Sequence, residues 1–334
     1  MGRVVAMVGA TGAVGRELIA VLEQRAFPVD ELRLLSSPRS AGTQLHFRGA
    51  EVEVEALDAD RLRGCDLVFF SAGGSVSKEW VPRAVEAGAL VIDNSSAFRL
   101  DPAVPLVVPE VNPEAARAHQ GVIANPNCTT TLLVVVLEPL RRLAGLERVV
   151  VASYQAASGA GAQAMEELRR QAAAILRGEE PVVECFPQPI GFNLFPHIDV
   201  FLPEEGLATR EEMKVVWESR KILGLPELRA VSTCVRVPVL RAHSEAVFLE
   251  LGRAISPEEA RAALEAAPGV TVVDDPQAHR YPTPREADGA DDVLVGRIRR
   301  DPSHPRGLCL FLSGDQLRKG AALNAVQIAE LFEE

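Results

Sequence analysis

One cysteine stands where a thiol can be activated. Asn125-Pro126-Asn127-Cys128-Thr129-Thr130-Thr131 puts Cys128 at a turn, directly before an apolar run from Leu132 to Leu140 that reads as a helix. A thiol at a helix N-terminus faces unpaired N–H groups and the positive end of the helix dipole, and both favour thiolate. Cys128 is therefore a candidate nucleophile; the plainer alternative is a buried, inert cysteine. His243, in Arg241-Ala242-His243-Ser244-Glu245, is either the general base such a thiol needs or a satisfied structural histidine. Arg99, after a strand and Ser95-Ser96-Ala97-Phe98, is either placed to meet an anion or simply exposed. Glu211 and Lys214 are three apart on one helical face, the usual spacing of a solvated ion pair.

A second chemistry is written near the start. Residues 3–8 read as a buried strand and Arg16 to Gln24 as an amphipathic helix, with Gly9-Ala10-Thr11-Gly12-Ala13-Val14-Gly15 between them. Strand, glycine-rich turn and helix open a dinucleotide-binding unit, in which backbone N–H groups approach a pyrophosphate. The spacing is G-x-x-G-x-x-G, and an ordinary tight turn is the alternative. The second strand, Glu31 to Leu35, ends in Ser36-Ser37-Pro38-Arg39-Ser40. An NAD-selective strand usually ends in a carboxylate for the ribose hydroxyls. Here hydroxyls and an arginine suit a 2′-phosphate, so NADP is expected, unless Arg39 is only a loop arginine.

The elements that must position these groups alternate through the first half. Strands are expected at Cys65 to Phe70, leading into a small-residue loop with Gly73, at Leu90 to Ser96, and around Val107 and Val122; a helix is expected from Val76 to Ala87. The second half opens with a strand, Leu146 to Tyr154, and a loop, Gln155-Ala156-Ala157-Ser158-Gly159-Ala160-Gly161. A helix from Ala164 to Arg177 and an irregular segment, Pro181 to Pro203, come next. A helix from Glu211 to Leu223 and a strand carrying Arg236, Val231 to Val239, follow. Further strands lie at Ala246 to Leu251, Asp292 to Ile298 and Gly307 to Leu312, and a final helix, Arg318 to Phe332, is expected to return to the cofactor domain. The fold class is α/β: a Rossmann-type doubly wound dinucleotide-binding domain (1–127 and 314–334) plus an α+β catalytic domain (128–313) with a mixed sheet.

A chain of 334 residues is long enough for two cores. Its net charge of −11, from 35 basic and 46 acidic residues, argues against non-specific nucleic-acid binding. Five scattered cysteines with no C-x-x-C pair suggest neither a zinc site nor a disulfide framework, so no metal is expected and a reducing cytoplasm fits best. The N-terminus is too soon interrupted by glycine to be a signal peptide, and the longest apolar run cannot span a bilayer, so no membrane is expected.

Taken together, Gly9-Ala10-Thr11-Gly12-Ala13-Val14-Gly15, Asn125-Pro126-Asn127-Cys128-Thr129-Thr130, Tyr154-Gln155-Ala156-Ala157-Ser158-Gly159, Arg236-Val237-Pro238-Val239 with His243-Ser244-Glu245, and Arg318-Lys319-Gly320-Ala321-Ala322-Leu323-Asn324 resemble the bacterial aspartate-semialdehyde dehydrogenases over essentially the whole chain. The resemblance implies reversible, phosphate-dependent oxidation of L-aspartate 4-semialdehyde with NADP, through a thiohemiacetal and a thioester on Cys128. It implies that His243 is the general acid/base, that Gln155 orients the reacting carbonyl, and that Arg236 grips the α-carboxylate. Glu211 takes the α-ammonium, Arg99 and Lys214 the phosphate, and Asn127 joins the substrate site. Gly9, Thr11, Gly12, Ala13, Val14, Ser36, Ser37, Arg39, Ser40, Gly73, Ser158, Gly159 and Asn324 line the cofactor. The second domain would also be the dimerisation domain of a homodimer, with small molecules as the other partners.

Two rivals remain at this point. An N-acetyl-gamma-glutamyl-phosphate reductase runs the same chemistry but needs no carboxylate such as Glu211 for a free ammonium. A non-catalytic NADP-binding redox sensor would need none of His243, Gln155 and Arg236. Glyceraldehyde-3-phosphate dehydrogenase normally prefers NAD, with an acid after the second strand. A short-chain-type reductase fails because Tyr154 and Tyr281 are followed four residues on by Ser158 and Arg285, not lysine.

Overall fold

The computed structural model describes residues 3–333 and divides the chain into two compact units, unit 1 (1–127 and 321–334) and unit 2 (128–320). The return to unit 1 lies at Ala321, later than the expected residue 314, because the last strand of unit 2 runs through Gly314 and residues 315–320 stay packed within unit 2. Residues 1, 2 and 334, inside the expected boundaries, lie outside the described residues.

Unit 1 is built on strand β1 (Arg3–Val8), flanked by β2 (Val29–Ser36) and β5 (Leu67–Phe70), after which come β6 (Leu90–Asp93) and β7 (Val122–Ala124). All of these pair in parallel. A hairpin, β3 (Gln44–Phe47) and β4 (Ala50–Ala56), extends the sheet beyond β2, with β3 antiparallel at the edge. Such a sheet is covered on both faces, so alternate β1 residues belong to different cores. Val5 and Met7 pack with helix α1 (Ala13–Gln24) and with the C-terminal helix, Leu323–Glu330. Ala6 and Val8 pack with α2 (Ala59–Leu62) and α3 (Gly74–Glu86). The chain passes from β2 on one side of β1 to β5 on the other. The carboxyl end of β1 is therefore a topological switch point, where ligands of doubly wound sheets bind.

Unit 2 opens with α4 (Cys128–Ala144), whose residues 129–137 are all buried. Its sheet has six strands in the order β11 (Arg229–Arg236), β8 (Leu146–Gln155), β12 (His243–Leu251), β15 (Gly307–Gly314), β14 (Val293–Arg300), β13 (Val270–Val272). The two outer pairs are parallel and the inner three antiparallel, a mixed sheet as expected. Helices α4, α6 (Arg210–Leu223) and α7 (Pro257–Glu265) pack against it. The outward positions of its other face leave Tyr154, Val231 and Phe248 exposed. Helix α5 (Ala162–Leu176) anchors the 181–203 segment: buried Glu167 and Gln171 hydrogen-bond the backbone at Glu184, Cys185, Ile190 and Gly191. A two-stranded pair, β9 (Phe201–Leu202) and β10 (Ala208–Thr209), leads into α6, and a single turn, α8 (Pro284–Ala287), completes the unit.

Candidate active site and nucleotide pocket

The chemistry of unit 2 gathers where α4 begins and β8 and β11 end. Cys128 is the first residue of α4, so its thiol is at the N–H end of a seventeen-residue helix with no acidic side chain in the first turn. Gln155 ends β8; its Nε2 donates to Thr129 Oγ1 at 2.8 Å and to Ser153 Oγ and Glu211 Oε1 at 3.3 Å each. Arg236 ends β11 in register with Gln155, and His243 opens β12 on the other side of β8.

The backbone of one residue, Ala156, holds two of these groups. The Ala156 N–H donates to His243 Nδ1 at 3.1 Å, and the Ala156 carbonyl accepts from Arg236 NH1 at 2.6 Å. A neutral imidazole that accepts at Nδ1 carries its proton on Nε2. His243 Nε2 is buried and has no hydrogen-bond partner among the described residues. Burial, with the nearby Arg236 charge, holds the His243 pKa well below the ordinary imidazole range, so the ring is neutral. Burial also lowers the Arg236 pKa, opposed by the charges of Glu211 and Cys128. Gly159 lies against this pair: a Cβ there would come within 3.1 Å of Arg236 NH1 and of His243 Cε1 and Nε2. Its loop is tied down by Ala157 N–H to Val239 O, Ser158 N–H to Leu240 O, and Gln316 Nε2 to Ser158 Oγ.

Adjacent glutamates take different tasks. Glu212 is the third residue of α6 and closes a capping box with Thr209, and its Oε1 also accepts from the Cys234 N–H at 3.1 Å. Glu211 instead faces Gln155 and receives Lys214 Nζ at 3.0 Å. Lys214 is also 2.8 Å from Asp199 Oδ2. Its pKa is raised: burial alone would lower it, but the two carboxylates outweigh that. Behind the row of Arg236, Gln155 and His243 lies a second row of inward side chains, Cys234, Ser153 and Glu245. Burial pushes the Cys234 thiol up to about 12, so it is inert at neutral pH. At the far end of unit 2 a π-helical turn, Arg318–Ala322, brings Gly320 against Cys128; a Cβ at Gly320 would be 2.9 Å from Cys128 Cβ.

Unit 1 carries a pocket of ≈ 670 Å³ at the carboxyl ends of β1 and β2. Gly9, Thr11, Gly12, Ser36, Ser37, Arg39 and Ser40 all line it. Gly9 has φ +91° and no room for a Cβ, which would fall 2.4 Å from the Ser71 carbonyl oxygen. Thr11 and Ser36 hydroxyls meet at 3.2 Å, and Arg39 is exposed at the rim. This lining fits a dinucleotide: glycine backbone for a pyrophosphate, and hydroxyls with a cation for a 2′-phosphate. Ala13 and Val14 start α1, and Gly73 precedes α3, outside the lining. Ser158 and Gly159 belong to unit 2. Asn324 is fully buried, donating to Val107 O and to Asn125 Oδ1, while Asn125 donates to Asn94 Oδ1. Arg99 joins this network, with Nε to Asn125 O at 2.9 Å and NH2 to Asn94 O at 2.7 Å. Asn127, also buried, directly precedes Cys128. Sequence reasoning missed Trp80 and Ser71 in the pocket, Asn94 beside Arg99, and Asp199 beside Lys214. Nothing in local periodicity marks them, since each depends on which elements become neighbours.

Comparison with known proteins follows the two units. Residues 4–119 match a family model described as semialdehyde dehydrogenase, NAD binding domain, and residues 137–319 one described as semialdehyde dehydrogenase, dimerisation domain. The chain is 57% identical over 330 residues to the aspartate-semialdehyde dehydrogenase of Synechocystis, covering 99% of this chain and 97% of the relative. Aspartate semialdehyde dehydrogenase II of Vibrio cholerae, solved in complex with ASA, superposes with a TM-score of 0.95 at 45% identity, covering 100% of this chain and 98% of that one. A Candida albicans aspartate semialdehyde dehydrogenase solved with NADP gives a TM-score of 0.75 at 25% identity, covering 100% and 99%.

Proposed function

The chain belongs to the aspartate-semialdehyde dehydrogenase family, and we propose that it interconverts L-aspartate 4-semialdehyde and 4-aspartyl phosphate with NADP and inorganic phosphate, through a covalent adduct on Cys128. It is an oxidoreductase with a nicotinamide-nucleotide-binding domain. The reductase of N-acetylated glutamyl phosphate and the redox sensor are not favoured, since the match to aspartate-semialdehyde dehydrogenases runs over nearly the full length of both chains.

The observation that carries the mechanism is the backbone of Ala156, whose N–H and carbonyl fix His243 and Arg236. The Cys128 thiolate adds to the aldehyde carbon, and the carbonyl electron pair moves to oxygen. His243, neutral and with its proton on Nε2, donates a hydrogen bond to that oxygen. A general-base role toward Cys128 would need the other tautomer, whereas the helix N-terminus favours thiolate without one. The nicotinamide cofactor supplies the hydride acceptor when bound. Loss of hydride leaves a thioester on Cys128, and attack by phosphate oxygen then expels the thiolate and releases the acyl phosphate. The thiolate that entered is returned, so no base is consumed at sulfur. Arg236 is suited to a carboxylate by its planar fork, and Glu211 to an ammonium.

The NADP preference rests on Arg39 with Ser36, Ser37 and Ser40 and on the absence of a carboxylate at the end of β2. A homodimer through the uncovered face of the six-stranded sheet, where Tyr154, Val231 and Phe248 are exposed, is in keeping with the dimerisation domain matched there. A cytoplasmic setting fits five cysteines that form no disulfide among the described residues. Among the described residues no helix is long and apolar enough to cross a membrane. The experiment is NADP reduction by purified protein given L-aspartate 4-semialdehyde, with and without inorganic phosphate. Phosphate-dependent reduction that is absent in Cys128→Ser is expected; reduction only with an N-acetylated glutamate semialdehyde would move the substrate.

A further inference from the structure

Asp199 belongs to the irregular 181–203 segment and has no sequence pattern to recommend it. Its backbone is left-handed, with φ +69°, a region that non-glycine residues occupy at a cost and mostly where their surroundings impose it. Both oxygens of its carboxylate are committed. Oδ1 accepts from the Val200 N–H at 2.8 Å, and Oδ2 meets Lys214 Nζ at 2.8 Å. The Asp199 carboxyl is held below its usual range; burial opposes this, but Lys214 prevails.

Lys214 therefore sits between two carboxylates, Asp199 at 2.8 Å and Glu211 at 3.0 Å, with only 17% of its side chain exposed. The Glu211 charge also acts on Arg236, opposing the effect of its burial. These four side chains carry two positive and two negative charges. If Lys214 is matched by Asp199, then Arg236 and Glu211 form an opposed pair of poles. An α-amino acid head group presents the mirror image of that pair, an ammonium and a carboxylate. Without the Asp199 charge, Lys214 would be matched by Glu211 alone, and the cluster would carry one net positive charge. Such a cluster suits a head group that has a carboxylate and no ammonium.

We propose that Asp199 is a specificity-determining positioning residue. By offsetting the Lys214 charge it keeps negative charge on the Glu211 carboxylate for the substrate's α-ammonium, and so selects free α-amino aldehydes over their deaminated analogues. Among the described residues, Lys214 Nζ donates to Asp199 and Glu211, two of the three bonds an ammonium can make. The inference rests on the function proposed above and goes beyond it by naming what sets amino-group selectivity.

The test compares kcat/KM for L-aspartate 4-semialdehyde with that for succinate semialdehyde, which has the same skeleton without the amino group. Asn is among the side chains that best tolerate a left-handed backbone, so Asp199→Asn removes the charge and keeps the fold. The ratio of the two kcat/KM values should fall about tenfold or more, the size of one charge-assisted contact, with activity on succinate semialdehyde held or raised. Glu211→Gln should lower the same ratio, and adding Asp199→Asn to it should lower the ratio no further, since the two act through one contact. An unchanged ratio in Asp199→Asn, an equal fall with both aldehydes, or additive effects in the double variant would overturn the proposal. If the native protein oxidises neither aldehyde, the function proposed above fails, and this inference with it.

Discussion

Nδ1 of His243 accepts the Ala156 N–H at 3.1 Å, and this single contact decides which way the imidazole can act. With Nδ1 engaged and the ring neutral, the group presented at Nε2 is a donor. His243→Ala should lower kcat by about 10²–10³, the loss of one oxyanion donor. The rate of Cys128 alkylation by iodoacetamide at neutral pH should change less than about twofold, because helix and charge, not a base, favour the thiolate. A matching collapse of the alkylation rate would restore the base role.

Gly320 has no side chain because Cys128 is there. A methyl group at this position would lie 2.9 Å from Cys128 Cβ and 3.2 Å from its Cα, contacts with a helix backbone that cannot yield cheaply. Gly320→Ala is expected to lower kcat about 10²-fold, as displacement of a reacting atom by about an ångström does, while dinucleotide affinity holds. Full turnover in the alanine variant would mean that the π-helical turn shifts freely.

Glu245 stands two residues from His243 on the same face of β12, fully buried, and neither carboxyl oxygen has a hydrogen-bond partner among the described residues. Burial pushes its pKa well above the usual carboxyl range. Between the ordinary and the raised pKa the folded chain keeps a proton that the unfolded chain has lost. Stability therefore falls as pH rises through that window, by about 1.4 kcal/mol per pH unit. Glu245→Gln cannot titrate, so its Tm relative to the parent should rise as pH climbs above the ordinary carboxyl range. A constant difference would show that Glu245 ionises without penalty.

Arg39 is exposed at the rim of the nucleotide pocket, beside Ser37 and Ser40. Arg39→Ala should raise KM for NADP about tenfold or more and barely alter KM for NAD, which has no 2′-phosphate to lose a guanidinium contact. Equal losses for both nucleotides would remove Arg39 from phosphate recognition.

The sequence was most legible where a chemical residue ends a regular element. Cys128 and Gln155 fall at the edges of elements that the sequence marks, whereas Arg236 was expected inside a strand to Val239 and His243 ahead of one from Ala246; in the structure each of the four starts or ends its element. The hairpin β3–β4 was not read, because its outward glutamates mask a short edge strand with only Leu45, Phe47 and Val54 buried. The last helix was expected unbroken from Arg318. A π turn comes first, and the extra residue it takes in leaves the apolar spacing almost unchanged. Asp199 was invisible for a different reason. Its task depends on a backbone angle and on a lysine fifteen residues away, and neither leaves a trace in local pattern.

The C-terminal helix has a bearing on how the chain is made. Ala322, Leu323, Ala325, Val326, Ile328 and Ala329 belong to the same core as β1 and α1, at the opposite end of the sequence. Unit 2, by contrast, is one uninterrupted stretch. During synthesis, residues 3–127 emerge before unit 2 yet lack one wall of their core until residues 322–329 have followed it, whereas unit 2 has all its parts earlier. The unit begun earlier is thus the unit completed later. A message truncated just before this helix should yield a chain that has the reactive thiol but has lost its grip on the nucleotide.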